Sequence, residues 1–186
     1  MSSAKTDRKK KTLGAGRRLR LLSDDGWEYV ERIRAKGVVV VVAVTEADEF
    51  ILTEQFRRSV GGRVVDIPAG VVGDLAGARS ESPAAAARRE LLEETGYTAR
   101  RFQFLAEAPT SPGLTSETVS FFHAVGLKKV DKGGGVDGEE IKVHLVKRTA
   151  ADAWLRRRAR SGLQIDCKVY AGLYFASRVA LRSSAI

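Results

Sequence analysis

The order of periodic segments predicts an α/β sandwich. Three observations carry that prediction: strand-like runs stand on both sides of one central helix, the strongest run is an almost unbroken valine stretch, and two helical patterns close the chain. The order is too mixed for a doubly wound nucleotide fold, and the sequence has no Gly-rich phosphate loop of the Walker or dinucleotide type.

Residues 1–15 read as a disordered basic tail, polar and charged with little to bury, and residues 16–186 as a single domain. Residues 17–22 and 27–33 alternate around the turn-forming cluster Ser23-Asp24-Asp25-Gly26, which predicts an N-terminal β-hairpin extension. The valine run over residues 37–44 suits a strand buried on both faces. Residues 49–56 and 63–67 add strands, with Gly61-Gly62 as the turn between them. The clearest helix lies between Ser82 and Gly96. Ser82 can cap, Pro83 fits the first helical position where no amide donor is missed, four alanines follow, and Gly96 can end the helix in the left-handed conformation. Strands are then expected over residues 102–107, 118–125 and 141–146, and C-terminal helices over residues 149–159 and 167–181. Lys132-Gly133-Gly134-Gly135 reads as a mobile loop.

Composition narrows the chemistry. At 186 residues, 44% apolar and 30% charged, the chain can bury one sizeable core, and a second full domain is not expected. No run approaches the roughly 18–20 apolar residues that span a bilayer. The basic N-terminus has no apolar segment after it, unlike a secretory signal, so a soluble cytoplasmic protein without membrane attachment is expected. Cys167 is the only cysteine, so no thiol cluster exists for zinc, and any metal must sit on oxygens. His123 and His144 both fall in strand-like runs, which leaves little material for a histidine-centred nucleophile relay. The net charge is +9, much of it before residue 21. Such a stretch can gain affinity for phosphate by displacing counterions, but no aromatic residue interleaves with the charges. It reads as a solvated tail, and nucleic acid is not expected as a partner.

The chemistry concentrates in Arg88-Arg89-Glu90-Leu91-Leu92-Glu93-Glu94-Thr95-Gly96-Tyr97. Residues three and four apart share a helix face, so Glu90, Glu93 and Glu94 fall within an arc of about 100°. Crowded anions need an offset, and magnesium supplies one because it prefers carboxylate and phosphate oxygens and keeps some of its own waters. Arg89, four residues before Glu93, is placed to orient it by an ion pair. Taken alone, three glutamates on a helix would more often be a solvated acidic stripe.

The surroundings change that balance, since Asp66-Ile67-Pro68-Ala69-Gly70 precedes the helix and Gly96-Tyr97 leads into a strand. Here the chain resembles the Nudix family. From Glu81 through Arg89-Glu90-Leu91, Glu93-Glu94 and Gly96 to Tyr97 the family signature fits. Its opening glycine would be Gly70, yet Glu81 lies eleven positions on instead of six, so about five residues from Gly73 to Gly77 read as an insertion. The resemblance implies an α/β/α sandwich around a mixed central sheet, with magnesium (or manganese) held by Glu90 and Glu94, Glu93 assisting, and the backbone carbonyl of Ala69.

Features outside the signature resemble the branch that cleaves ADP-ribose and nucleoside diphosphate sugars. Arg57, closing Glu54-Gln55-Phe56-Arg57, would face the substrate's phosphates, where a guanidinium pairs oxygens two at a time. Pro112 stands sixteen positions beyond Gly96, within a segment holding Gly113 and Glu117, and resembles a marker of ADP-ribose hydrolases. Asp137-Gly138-Glu139-Glu140 would be the acidic loop that supplies a general base, Glu139 first and Glu140 second. Trp27 or Tyr29 would stack on the base. The branch forms homodimers through its N-terminal strands, here residues 16–36. Open alternatives are a GDP-mannose-preferring hydrolase, a hydrolase of nucleoside triphosphates or RNA 5' ends, and a nucleotide-sensing module without catalysis.

Overall fold

The computed structural model describes residues 10–73, 80–136 and 138–183. Most of the expected insertion before Glu81, residues 1–9 of the expected tail, and Asp137 of the acidic loop lie outside the described residues.

The expected hairpin is a three-stranded antiparallel sheet: β1 (Lys10–Ala15), β2 (Leu19–Asp24) and β3 (Trp27–Arg32). Asp25 and Gly26 both take positive φ between the paired residues Asp24 and Trp27, as the two-residue turn that matches strand twist requires. Lys10–Ala15 was expected to be unstructured and instead pairs with β2, although its side chains are exposed throughout. Its backbone is satisfied by a neighbour that the strand itself does nothing to bury, so no hydrophobic periodicity announces it.

Two mixed four-stranded sheets follow. One has the order β7 (Ala69–Val71), β4 (Val38–Ala43), β9 (Thr118–Lys129), β8 (Tyr97–Pro109), with β4 and β9 parallel. The other has the order β10 (Lys142–Lys147), β5 (Glu49–Arg57), β6 (Gly62–Asp66), β11 (Gln164–Ile165), with β6 and β11 parallel. The helices are α1 (Pro83–Thr95), α2 (Ala151–Arg160) and α3 (Cys167–Ser183).

The valine strand explains the layering. Along β4 successive side chains point to opposite faces. Val39, Val41 and Ala43 pack with Ala86, Ala87 and Leu91 of α1, while Val40 and Val42 pack with Leu155 of α2 and Val169 and Ala176 of α3. Both faces of the strand are therefore covered, which is why the run is apolar without alternation. Among the described residues, no helix is long and apolar enough to cross a membrane.

Candidate active site

α1 forms where the sequence places it. The Ser82 side chain accepts from the Ala85 amide, Pro83 opens the first turn, and Gly96 ends the helix in the left-handed region with its amide bound to the Leu92 carbonyl. Leu91 is buried against β4 while Leu92 is exposed, so the apolar stripe fixes the helix's rotation and turns its glutamates toward the loop before it.

Glu94 is the most enclosed of these acids, 5% exposed, and its Oε2 accepts the Ala69 amide at 3.2 Å. Burial pushes its carboxyl well above the ordinary carboxylate range, and the nearby Glu90 pushes it further. Gly70 allows this crowding: a side chain there would run into the Glu90 carboxylate. Arg89 gathers the rest. Its Nη1 lies 2.6 Å from Glu90 Oε1 and 3.1 Å from Glu93 Oε2, its Nε 3.0 Å from Glu81 Oε1, and its Nη2 donates to the Val71 carbonyl at 3.2 Å. Glu81 also accepts the Gly73 amide at 3.0 Å. Ala69, Glu90, Glu93, Glu94 and Arg89 are thus brought together.

The donor set suits a hard divalent ion. Two carboxyls pressed together in a buried site favour holding a proton, and an oxygen-seeking cation removes the same repulsion. Among the described residues no three acidic side chains converge as a ready-made cage.

Arg57 stands beside this group. Its Nη2 is 3.6 Å from Asp66 Oδ2, and its charge acts on Glu94. Asp66 is buried and also meets Lys168 Nζ at 3.1 Å, while Lys168 reaches Asp166 at 2.5 Å. Burial alone would lower the Lys168 ammonium's pKa, but the two carboxylates outweigh it and raise it. Sequence reading missed Asp66 and Lys168 as members of the site. Asp66 sits in the segment quoted before Gly70, but Lys168 is a single lysine on a distant helix and leaves no local signal.

The remaining candidates lie elsewhere. Trp27 is 63% exposed at the hairpin tip, and the Tyr29 ring lies under Lys10 Nζ, 5.5 Å from its centroid. The segment holding Gly113 and Glu117 is fastened to β3: the Val30 amide donates to the Leu114 carbonyl at 2.8 Å, and Glu117 pairs with Arg32. Gly113 stands in open space. Glu117, Arg20, Arg32 and Lys36 line a cleft of about 440 Å³, within the range of about 300–1,000 Å³ usual for small-molecule sites.

The glycine loop, expected to be mobile, meets the helix: its Gly134 and Gly135 amides donate to the Glu94 and Glu93 carbonyls, each at 3.0 Å, capping the end of α1. A helix end leaves carbonyls without partners, and the loop satisfies them. Beyond it Glu139 is exposed, and Glu140, its side chain 91% exposed, comes within 3.9 Å of Arg63. Arg63 is held by Glu54, which also accepts from His144 at 2.8 Å.

Known proteins resemble this chain in sequence and fold. The chain is 36% identical over 123 residues to an ADP-ribose pyrophosphatase of Bacillus subtilis, covering 66% of this chain and 63% of that protein. It is 35% identical over 123 residues to a methanol dehydrogenase activator of Bacillus methanolicus, with the same coverage of 66% and 63%. A GDP-mannose pyrophosphatase of Pectobacterium atrosepticum is 33% identical over 147 residues, 74% of this chain and 67% of that protein. The matches to the two Bacillus proteins thus span under two thirds of those relatives' length. A crystal structure of an ADP compounds hydrolase superposes with a TM-score of 0.69 at 20% identity, covering 94% of this chain and 92% of that one, which shows a shared fold. The NUDIX domain model matches residues 34–163, from the segment entering β4 to the turn after α2, and the chain belongs to that family.

Proposed function

We propose that this protein hydrolyses the pyrophosphate bond of ADP-ribose or a related nucleoside diphosphate sugar with a divalent metal, magnesium foremost and manganese as a substitute. The observation that carries the reading is the buried Glu94 set against Glu90, with Arg89 drawing Glu81, Glu90 and Glu93 together beside the Ala69–Val71 strand. Relatives named ADP-ribose pyrophosphatase support the substrate class.

In this reading Glu90 and Glu94, helped by Glu93 and the Ala69 carbonyl, hold the metal, and Arg89 fixes the two nearer carboxylates in position. A divalent ion held there would supply charge neutralisation at the diphosphate and would acidify a water beside it. Arg57 pairs phosphate oxygens. Glu139, with Glu140 second, takes the water's proton as its oxygen bonds to phosphorus. The P–O bond to the leaving phosphate breaks, giving AMP and ribose 5-phosphate. Trp27 stacks on the base, with Tyr29, Gly113 and Glu117 as further contacts on that side. The protein acts as a cytoplasmic homodimer joined through its N-terminal sheet, where Leu13, Leu19 and Leu21 are exposed.

The second reading prefers GDP-mannose, since several relatives carry that name. Turnover of ADP-ribose and GDP-mannose in oxygen-18 water decides between them. AMP and ribose 5-phosphate, with the label on one product, is the expected outcome; release of GMP alone would favour the second reading, and no turnover of either sugar nucleotide would sink both.

A further inference from the structure

We propose that Gly135 is a positioning residue, holding the acidic loop at a fixed distance from the carboxylate helix; this rests on the reading of Glu139 as the general base. The carbonyls ending α1 are each accounted for. Leu91 accepts from Thr95 Oγ1, Leu92 from the Gly96 amide, and Thr95 from Lys129 Nζ. Those of Glu93 and Glu94, two of the proposed metal-holding residues, accept from the amides of Gly135 and Gly134. The loop then closes on itself, because the Ile141 amide donates to the Gly134 carbonyl at 3.0 Å and the Glu139 amide to the Val136 carbonyl at 3.0 Å. Its neck and the metal helix therefore share one hydrogen-bonded frame.

Gly135 is where three parts of that frame meet. A methyl group there would stand 2.7 Å from Glu139 Cβ, 3.1 Å from Glu139 Oε2 and 3.2 Å from Ile141 Cδ1. Either Glu139 swings away or the neck lifts off the helix end. Gly134 and Gly138 serve as matched comparisons. All three have positive φ, +113°, +91° and +85° in chain order, so alanine strains the backbone at each. A methyl on Gly138 meets nothing within 4 Å, and on Gly134 only the Ile141 carbonyl at 3.8 Å. Only the substitution at Gly135 adds a collision with the proposed base.

Steady-state kinetics on ADP-ribose with magnesium should therefore separate the three variants. Gly135→Ala is expected to lower kcat about 100-fold, as an ångström-scale misplacement of a reacting group does, with KM changed less than about threefold. Gly138→Ala should change either constant by less than about threefold, and Gly134→Ala, which strains the residue bonded to the Glu94 carbonyl without touching Glu139, should lose less than Gly135→Ala. Equal losses in all three variants would overturn the proposal, since strain alone would then account for them. If Gly135→Ala does not fold, hydrogen exchange on the wild-type protein with magnesium and α,β-methylene ADP-ribose decides. Protected Gly134 and Gly135 amides support the fixed frame, and exchange at the rate of free peptide overturns it. Glu139→Gln separates this from the base assignment: a wild-type rate there removes Glu139 as the base, while the exchange result still judges the frame.

Discussion

Glu94 has two acidic neighbours, Glu90 and Asp66, and little solvent, so its carboxyl is held well above the usual carboxylate range by burial first and by Glu90 second. A charge kept in such a place is costly to the fold and useful only if something gathers there to meet it. Replacing Glu94 with Gln removes the charge and keeps an oxygen for the Ala69 amide. Since even outer-shell partners of a metal account for about 10–100-fold, turnover should fall by at least about 100-fold. The melting temperature should hold or rise. Thermal melts beside initial rates test both halves, and undiminished turnover would refute the metal assignment. The glutamates and Arg89 could be read from spacing because i, i+3 and i+4 positions share a helix face whatever the rest of the chain does. Lys168 could not, because its approach to Asp66 spans 102 positions, and such a meeting exists only once β6 and α3 pack.

At the scale of elements, α1 carries its own punctuation in Ser82, Pro83 and Gly96, and each acts as its chemistry predicts. Ser82→Ala leaves the Ala85 amide without its partner. The expected loss is about 1 kcal/mol, a fall of about 2–4 °C in melting temperature for a chain of this size, with kcat unchanged because the proposed metal-holding Glu90, Glu93 and Glu94 lie in the other half of α1. An unchanged melting curve would mean that packing of Leu91 and the alanines alone sets the helix start. The neighbouring glycine loop shows where local reading ends. Glycine's freedom predicts mobility in an isolated segment, yet the same freedom lets a backbone press onto a helix terminus that needs donors. The exposed strand β1 was missed for a related reason: its partner, not its own pattern, makes it a strand.

For the whole molecule, the buried pair of His144 and Glu54 joins β10 to β5 and contributes to the response to acid. Burial, foremost, holds His144 below its ordinary value of 6.5, so its contribution is present above 6.5 and is lost as pH falls from there toward the folded value. Burial works to raise Glu54, but hydrogen bonds from Arg63 and His144 outweigh it and leave it lowered from 4.5. Its contribution is therefore present above 4.5 and lost as pH falls toward its own folded value. Both run the same way, opposite to the raised Glu94 and Asp66 carboxyls, so the pair's own share of stability, read as the gap in urea midpoint between wild type and His144→Gln, should decline on acidification from about pH 6.5. A gap unaltered by pH would show that other groups cause the response. Assembly belongs to this scale too. Light scattering should return twice the 20.2 kDa chain mass, and a monomer at micromolar concentration would exclude the homodimer. The sequence by itself determined the layered class, the two-sided burial of β4, and the helix with its acidic face, because each depends on periodicity and capping within a few residues. Tertiary structure decided the second ring of the candidate site, Asp66 with Lys168 and the glycine loop on the end of α1. Those contacts bring together residues far apart in the chain, and their hydrogen bonds become available only after the valine core has set the elements side by side.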